Sequence, residues 1–98
     1  VVVEIPVDVR IERLATSYGV DPQLALKIAR CESKLVPQQS HYPDPSGPNG
    51  REDSWGIWQI NLPSHPTVTR EQAMDVEWST NWAMKHLKDH PHMWSCYQ

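Results

Sequence analysis

Cys31-Glu32-Ser33 and Ser54-Trp55-Gly56-Ile57-Trp58-Gln59-Ile60-Asn61 are the two stretches that decide how this chain is read. Upstream of the first, Asp21-Pro22 supplies a helix N-cap and a first-turn proline. After it Leu24, Ala25, Ile28, Ala29 and Cys31 or Glu32 fall on one broad face. The spacing predicts a helix that delivers Glu32 at its C-terminal end. A carboxyl group beside apolar neighbours, at the negative end of a helix dipole, has its neutral form favoured. Such an acid can still hold a proton where a reaction needs one. The second stretch is short and β-like. Gly56 there implies close approach of a polymer or another backbone, and Gln59 can donate and accept hydrogen bonds at once.

Working outward, Val1 to Val7 is β-branched and interrupted by Pro6, which reads as a leader or edge segment over residues 1–8. Asp8 is a candidate cap for a first helix carrying Ile11, Leu14, Ala15 and Tyr18, with Gly19 as a left-handed stop. Between Lys34 and Asp53, Pro37, Pro43, Pro45, Gly47, Pro48 and Gly50 rule out regular helix or strand over most of the length. A loop of that kind in a small domain is functional or disordered. Pro63 and Pro66 end the β-like stretch. Thr69-Arg70-Glu71-Gln72 is a capping box for a short helix. Asp75 caps a last helix running to about Lys88, with Val76, Ser79, Ala83 and Leu87 as one stripe, Trp78 and Trp82 as another, and Pro91 as its stop.

Ninety-eight residues make one domain, 1–98, near the size at which a single core only just outweighs chain entropy. With 39% apolar and 21% charged residues the composition is that of an ordinary globular domain, and no apolar run is long enough for membrane insertion. A formal net charge of -3 without clustered Lys and Arg argues against nucleic acid as a partner. Five Trp and three Tyr with no Phe is an unusual choice of aromatics. Trp offers a broad apolar face plus one N–H donor, which suits either a small core or sugar rings. The chain starts at Val1 and lacks the pattern of a signal peptide, as expected of a mature form or an excised domain. Cys31 and Cys96 are either two buried thiols or a disulfide. As a disulfide they would close a long loop, constrain the unfolded chain by about 4 kcal/mol, and fit an exported protein.

Glu32-Ser33 together with Gly56-Ile57-Trp58-Gln59-Ile60 resembles the Glu-Ser and Gly-Leu-Met-Gln-type motifs of SLT-type lytic transglycosylases and goose-type lysozyme-like domains, which cut peptidoglycan. The resemblance extends over roughly residues 9 to 97. It implies a mainly α, lysozyme-like (α+β) fold in which helices and a small β element form a glycan-binding groove. It also implies an extracytoplasmic location in the periplasm, the cell envelope or the secreted or phage-associated fraction. The implied partners are peptidoglycan glycan strands, met by a monomer or by one domain of a larger protein, with no cofactor. Glu32 would be the catalytic acid, with Ser33, Gln59, Gly56 and Trp58 holding substrate. Trp58 stands where the family more often has Met, and it suits either core or a sugar-stacking wall. Cys96-Tyr97-Gln98 matches the family's Ala-Tyr-Asn motif only at Tyr97, which the resemblance places near the acid.

The resemblance leaves the reaction open. Lytic transglycosylases work with the single Glu, letting the substrate acetamido group stabilise the cationic centre and the 6-hydroxyl close a 1,6-anhydro ring. A lysozyme-type hydrolase would use a second carboxylate, roughly 5 Å away in a retaining enzyme and roughly 6.5–9.5 Å in an inverting one. Asp53 and Asp44 are the leading candidates, with Glu52 behind them. A non-catalytic peptidoglycan-binding module is the third reading. His86, His90, His92 and Cys96 have loose zinc-like spacing. Pro91 interrupts them and no Cys-x-x-Cys or His-Glu-x-x-His pattern occurs, so no metal is expected.

Overall fold

The computed structural model describes residues 4–94 and Cys96. Tyr97, expected beside the acid, lies outside the described residues, as does the start of the segment read as a leader. Among the described residues there are four α-helices, α1 (Val7–Ser17), α2 (Pro22–Ser33), α3 (Arg70–Met74) and α4 (Val76–Asp89), and a two-stranded antiparallel sheet, β1 (Ser54–Trp55) and β2 (Ile60–Asn61). This is the mainly α architecture with a small β element that the sequence predicts.

Local chemistry explains most of the helix ends. The Asp21 carboxylate accepts from the Gln23 N–H and Pro22 occupies the first turn of α2. Thr69 and Gln72 exchange the two hydrogen bonds of a capping box at α3. Asp75 accepts from the Trp78 N–H at the start of α4. At α1 the expectation needs correcting. Pro6 is the N-cap, and Asp8 sits inside the first turn, where its carboxylate accepts from Val9 N–H at 2.9 Å. Asp8 therefore favours the helix through the dipole rather than by capping it.

The core forms where α1, α2 and α4 meet the hairpin, around Ile11, Ile28, Ile57, Trp58, Ile60 and Met84. Trp58 is 0% exposed. Its Nε1–H donates to Thr80 Oγ at 3.0 Å, and its backbone carbonyl accepts from Trp94 Nε1–H at 3.0 Å. Burying an indole requires a partner for its N–H, and α4 supplies one. Trp58 is therefore a core residue, not a sugar-stacking wall.

The long proline-rich loop is folded. Segment 38–44 runs antiparallel to 50–56 through the pairs Gln39 with Trp55 and Pro43 with Arg51. Backbone bonds add Ser40 N–H to Ser54 O (2.8 Å), Glu52 N–H to Tyr42 O (2.8 Å) and Gly56 N–H to Gln38 O (2.9 Å). Gln39, 4% exposed, ties the lobe together. Its amide nitrogen donates to Pro48 O and Glu52 O, and its amide oxygen accepts from Asn49 and Arg51. All four hydrogen-bonding positions of that side chain are filled, which is what a buried amide needs. Loop and hairpin thus make one three-strand antiparallel ribbon.

Gly56 turns the hairpin at φ +84°, and a Cβ there would lie 1.8 Å from the Ala73 carbonyl oxygen. The close neighbour that demands glycine is the backbone of α3, not a bound polymer. Gly56→Ala combines a left-handed φ with a backbone clash. It should lower unfolding stability by roughly 2–3 kcal/mol, read as a lower urea midpoint at constant m-value. A midpoint within experimental error of the parent would show that the hairpin yields freely to α3.

Candidate active site

One cleft of about 650 Å³ collects residues from α2, the proline-rich loop, the hairpin and its exit, α4 and the C-terminal segment. Glu32 enters from the last turn of α2, half-buried. The helix stops just beyond it because Lys34 and Leu35 both take left-handed conformations, φ +56° and +63°. Neither is glycine, so the sharp exit costs on the order of 1 kcal/mol or more per residue. The exit turns the chain away so that Glu32 stands at an open helix end.

The facing wall is one face of the ribbon. Side chains alternate between the two faces of a strand, and the register sets Ser40 beside Ser54, Tyr42 beside Glu52, and Ser54 beside Asn61. All five of these residues line the cleft. The alternation decides among the loop acids. Glu52 faces the cleft with Glu32, whereas Asp53 points to the other face, where its carboxylate accepts from Trp55 Nε1–H at 2.6 Å. Asp44 lies outside the cleft. The hydroxyl and the backbone N–H of Ser46 bind its carboxylate and hold its pKa below the usual Asp value. Neither Asp53 nor Asp44 lines the cleft with Glu32, whereas Glu52, ranked behind both on sequence, does.

The remaining expected contacts divide. Gln59 lines the cleft, with both amide hydrogens given to the Gln38 and Gly56 carbonyls at 3.0 and 2.8 Å. That leaves its oxygen, an acceptor, as the end able to meet a ligand. Ser33 is 4% exposed and outside the cleft. Its hydroxyl donates back to Ala29 O at 3.2 Å, the usual bond of a serine inside a helix. Gly56 and Trp58 are also away from the cleft, for the packing reasons given above.

The cleft is also lined by residues that sequence reasoning passed over. Met93 and Trp94 come from the C-terminal segment, His65 follows the hairpin, and Trp82 comes from α4. Cys31 and Cys96 are bonded, with Cα atoms 5.9 Å apart, which ties that segment to α2 directly beside Glu32. The alternative of two free thiols is thereby excluded, and Cys96 is lost to any zinc set. Tyr42, 70% exposed, stands on the ribbon rim as the most open aromatic residue of the cleft.

A half-buried acid at a helix end, across a groove from hydroxyl and amide side chains, is an arrangement for polar polymers. The family model for the transglycosylase SLT domain matches residues 10–96. The chain belongs to that family. No curated protein and no solved structure matches it. Membership makes this SLT domain a peptidoglycan-cleaving transglycosylase in the general sense, and the substrate it implies fits the polar lining of the cleft. The disulfide agrees with the extracytoplasmic setting in which SLT domains usually act. No helix among the described residues is long and apolar enough to cross a membrane.

Proposed function

We propose that this SLT domain cleaves the β-1,4 bond between N-acetylmuramic acid and N-acetylglucosamine without consuming water, leaving a 1,6-anhydromuramic end. The observation that carries the reading is the position of Glu32, an acid on the last turn of α2 that lines a cleft shared with a polar ribbon face.

In this mechanism Glu32 gives its proton to the glycosidic oxygen as the bond from that oxygen to C1 breaks. The acetamido oxygen of the muramic residue closes on C1 and shares the positive charge. Glu32, now a carboxylate, takes the proton of the 6-hydroxyl while O6 attacks C1 and displaces the acetamido oxygen. One group thus serves as acid and then as base, and it ends protonated as it began. Gln59 would accept from a sugar hydroxyl or acetamido N–H through its free oxygen. Ser40, Ser54 and Asn61 supply the remaining polar contacts along the wall. Tyr97 stays a proposed site residue on the strength of the family resemblance alone. The domain would act in the periplasm, in the cell envelope or after secretion, alone or as part of a larger protein.

Mass spectrometry of muropeptides released from purified peptidoglycan tests this reading. Anhydro-ended products support it, reducing ends alone would make the domain a hydrolase, and no release would leave a glycan-binding module.

Glu52 favours a hydrolytic branch as the second reading. A carboxylate lining the same cleft as Glu32 can orient a water molecule and accept its proton when the 6-hydroxyl does not reach C1. Glu52→Gln should then cut the reducing-end fraction of the products roughly tenfold while anhydro products persist. A product ratio that ignores this substitution would remove Glu52 from the chemistry.

A further inference from the structure

His65 is placed without any task in the chemistry above. Its backbone is fixed on both sides, its N–H donating to Leu62 O at 3.1 Å and its carbonyl accepting from Val68 N–H at 2.9 Å. Its ring stands edge-to-face against Trp82, with centroids 4.9 Å apart, and against His86 at 6.2 Å. Behind it Trp82 and His86 are stacked at 4.0 Å, and the His86 ring nitrogen Nδ1 lies 2.8 Å from Trp82 O. A carbonyl can only accept, so that nitrogen carries the proton and the His86 ring is locked. The imidazole of His65 is therefore held by ring contacts on a rigid support.

Among the described residues nothing hydrogen-bonds the His65 ring, and no buried side-chain nitrogen or oxygen lacks a partner. The ring nitrogens of this half-buried, cleft-lining residue are therefore not sealed from solvent. Burial pushes the imidazole pKa down, and the neighbouring His86 charge acts in the same direction. A neutral imidazole carries one N–H donor and one bare acceptor nitrogen. Those two complementary groups match the hydroxyl and acetamido groups of an aminosugar.

We infer that the His65 end of the cleft is a sugar subsite, in which the imidazole, backed by Trp82 and His86, hydrogen-bonds an N-acetylated aminosugar ring of the bound strand. The inference rests on the proposed function for the identity of the polymer. His65 is a binding and positioning residue here. Glu32 remains the group that touches the reacting atoms.

The test uses tri-N-acetylchitotriose as a defined probe, titrated against the whole chain by tryptophan fluorescence, in parallel with muropeptide release. His65→Ala should weaken probe binding about tenfold, the worth of one good hydrogen-bonded contact pair. His65→Gln, which keeps a donor and an acceptor, should recover part of the loss. On peptidoglycan the deficit should appear in KM, with the ratio of anhydro to reducing ends the same as in the parent. Binding by His65→Ala within twofold of the parent overturns the subsite, and so does failure of the parent to bind the probe at millimolar concentration. An inactive parent that still binds chitotriose through His65 would instead overturn the proposed reaction and leave the subsite standing. Thermal unfolding of both variants identifies any loss that comes from misfolding, in which case the comparison is made on His65→Gln.

Discussion

Glu32→Gln should reduce muropeptide release from purified peptidoglycan roughly a thousandfold or more. Glutamine keeps the size and the polarity of the side chain but has no proton to give at the glycosidic oxygen. General acid–base catalysis contributes about 10²–10⁴ per step, and this carboxyl group is asked to act in two successive steps. The loss therefore belongs in the upper part of that range. Folding should be spared, because the residue is half-buried at a helix end and the replacement is nearly isosteric. Glycan affinity should be spared as well, since Gln59, Tyr42 and the ribbon hydroxyls remain. Asp53→Asn and Asp44→Asn are informative companions, because both carboxylates are engaged away from the cleft. Turnover by Glu32→Gln within tenfold of the parent would exclude Glu32 as the acid and move attention to Glu52.

That Glu32 could be singled out from the sequence, and Glu52 could not, has a physical cause. The elements read correctly are those fixed by neighbours in the chain: the Asp21 and Pro22 start of α2, the Thr69 to Gln72 capping box, and the Asp75 cap of α4. Glu32 is singled out by the resemblance carried on Glu32-Ser33 and Gly56 to Ile60, and its place on the last turn of α2 depends only on neighbours in the chain. The cleft's opposite wall depends on register instead. The pairing of 38–44 with 50–56 is held by Gln39, whose partners are spread over the sequence from Pro48 to Glu52. A shift of one residue would turn Asp53 inward and Glu52 outward, and nothing local chooses between them. The two-residue alternation of Glu52 and Ser54 leading into β1 was the one available signal. Trp58 was ambiguous for a similar reason. Its burial is decided by Thr80 and Trp94, which lie far along the chain. The resemblance puts Ser33 on substrate, whereas its own helix satisfies the hydroxyl through the bond to Ala29. His65 and Trp82 were missed because their proximity is created only by packing of the hairpin exit on α4.

Removing the disulfide as Cys31→Ser with Cys96→Ser should cost about 4 kcal/mol of unfolding free energy, through the freedom regained by an unfolded loop spanning 65 positions. A domain of this size has about 5–15 kcal/mol in total, so this one bond accounts for a large share. The melting temperature should fall by roughly 15–30 °C, using about 4–8 °C per kcal/mol for a chain of this length. The native cleft should nevertheless persist at low temperature, because Trp94 has anchors of its own. Its indole N–H bonds Trp58 O, and its ring meets Trp58 at 5.9 Å and Trp82 at 6.3 Å. The expected pattern is thus a near-ultraviolet circular dichroism spectrum like that of the parent in the cold, with a much lower thermal midpoint. Muropeptide release should be retained well below that midpoint and lost on warming through it. A different pattern, in which activity disappears in the cold while the spectrum and the midpoint barely change, would mean that the bond acts on the folded state. It would then be setting the end of α2, and Glu32 with it, rather than restricting the unfolded chain.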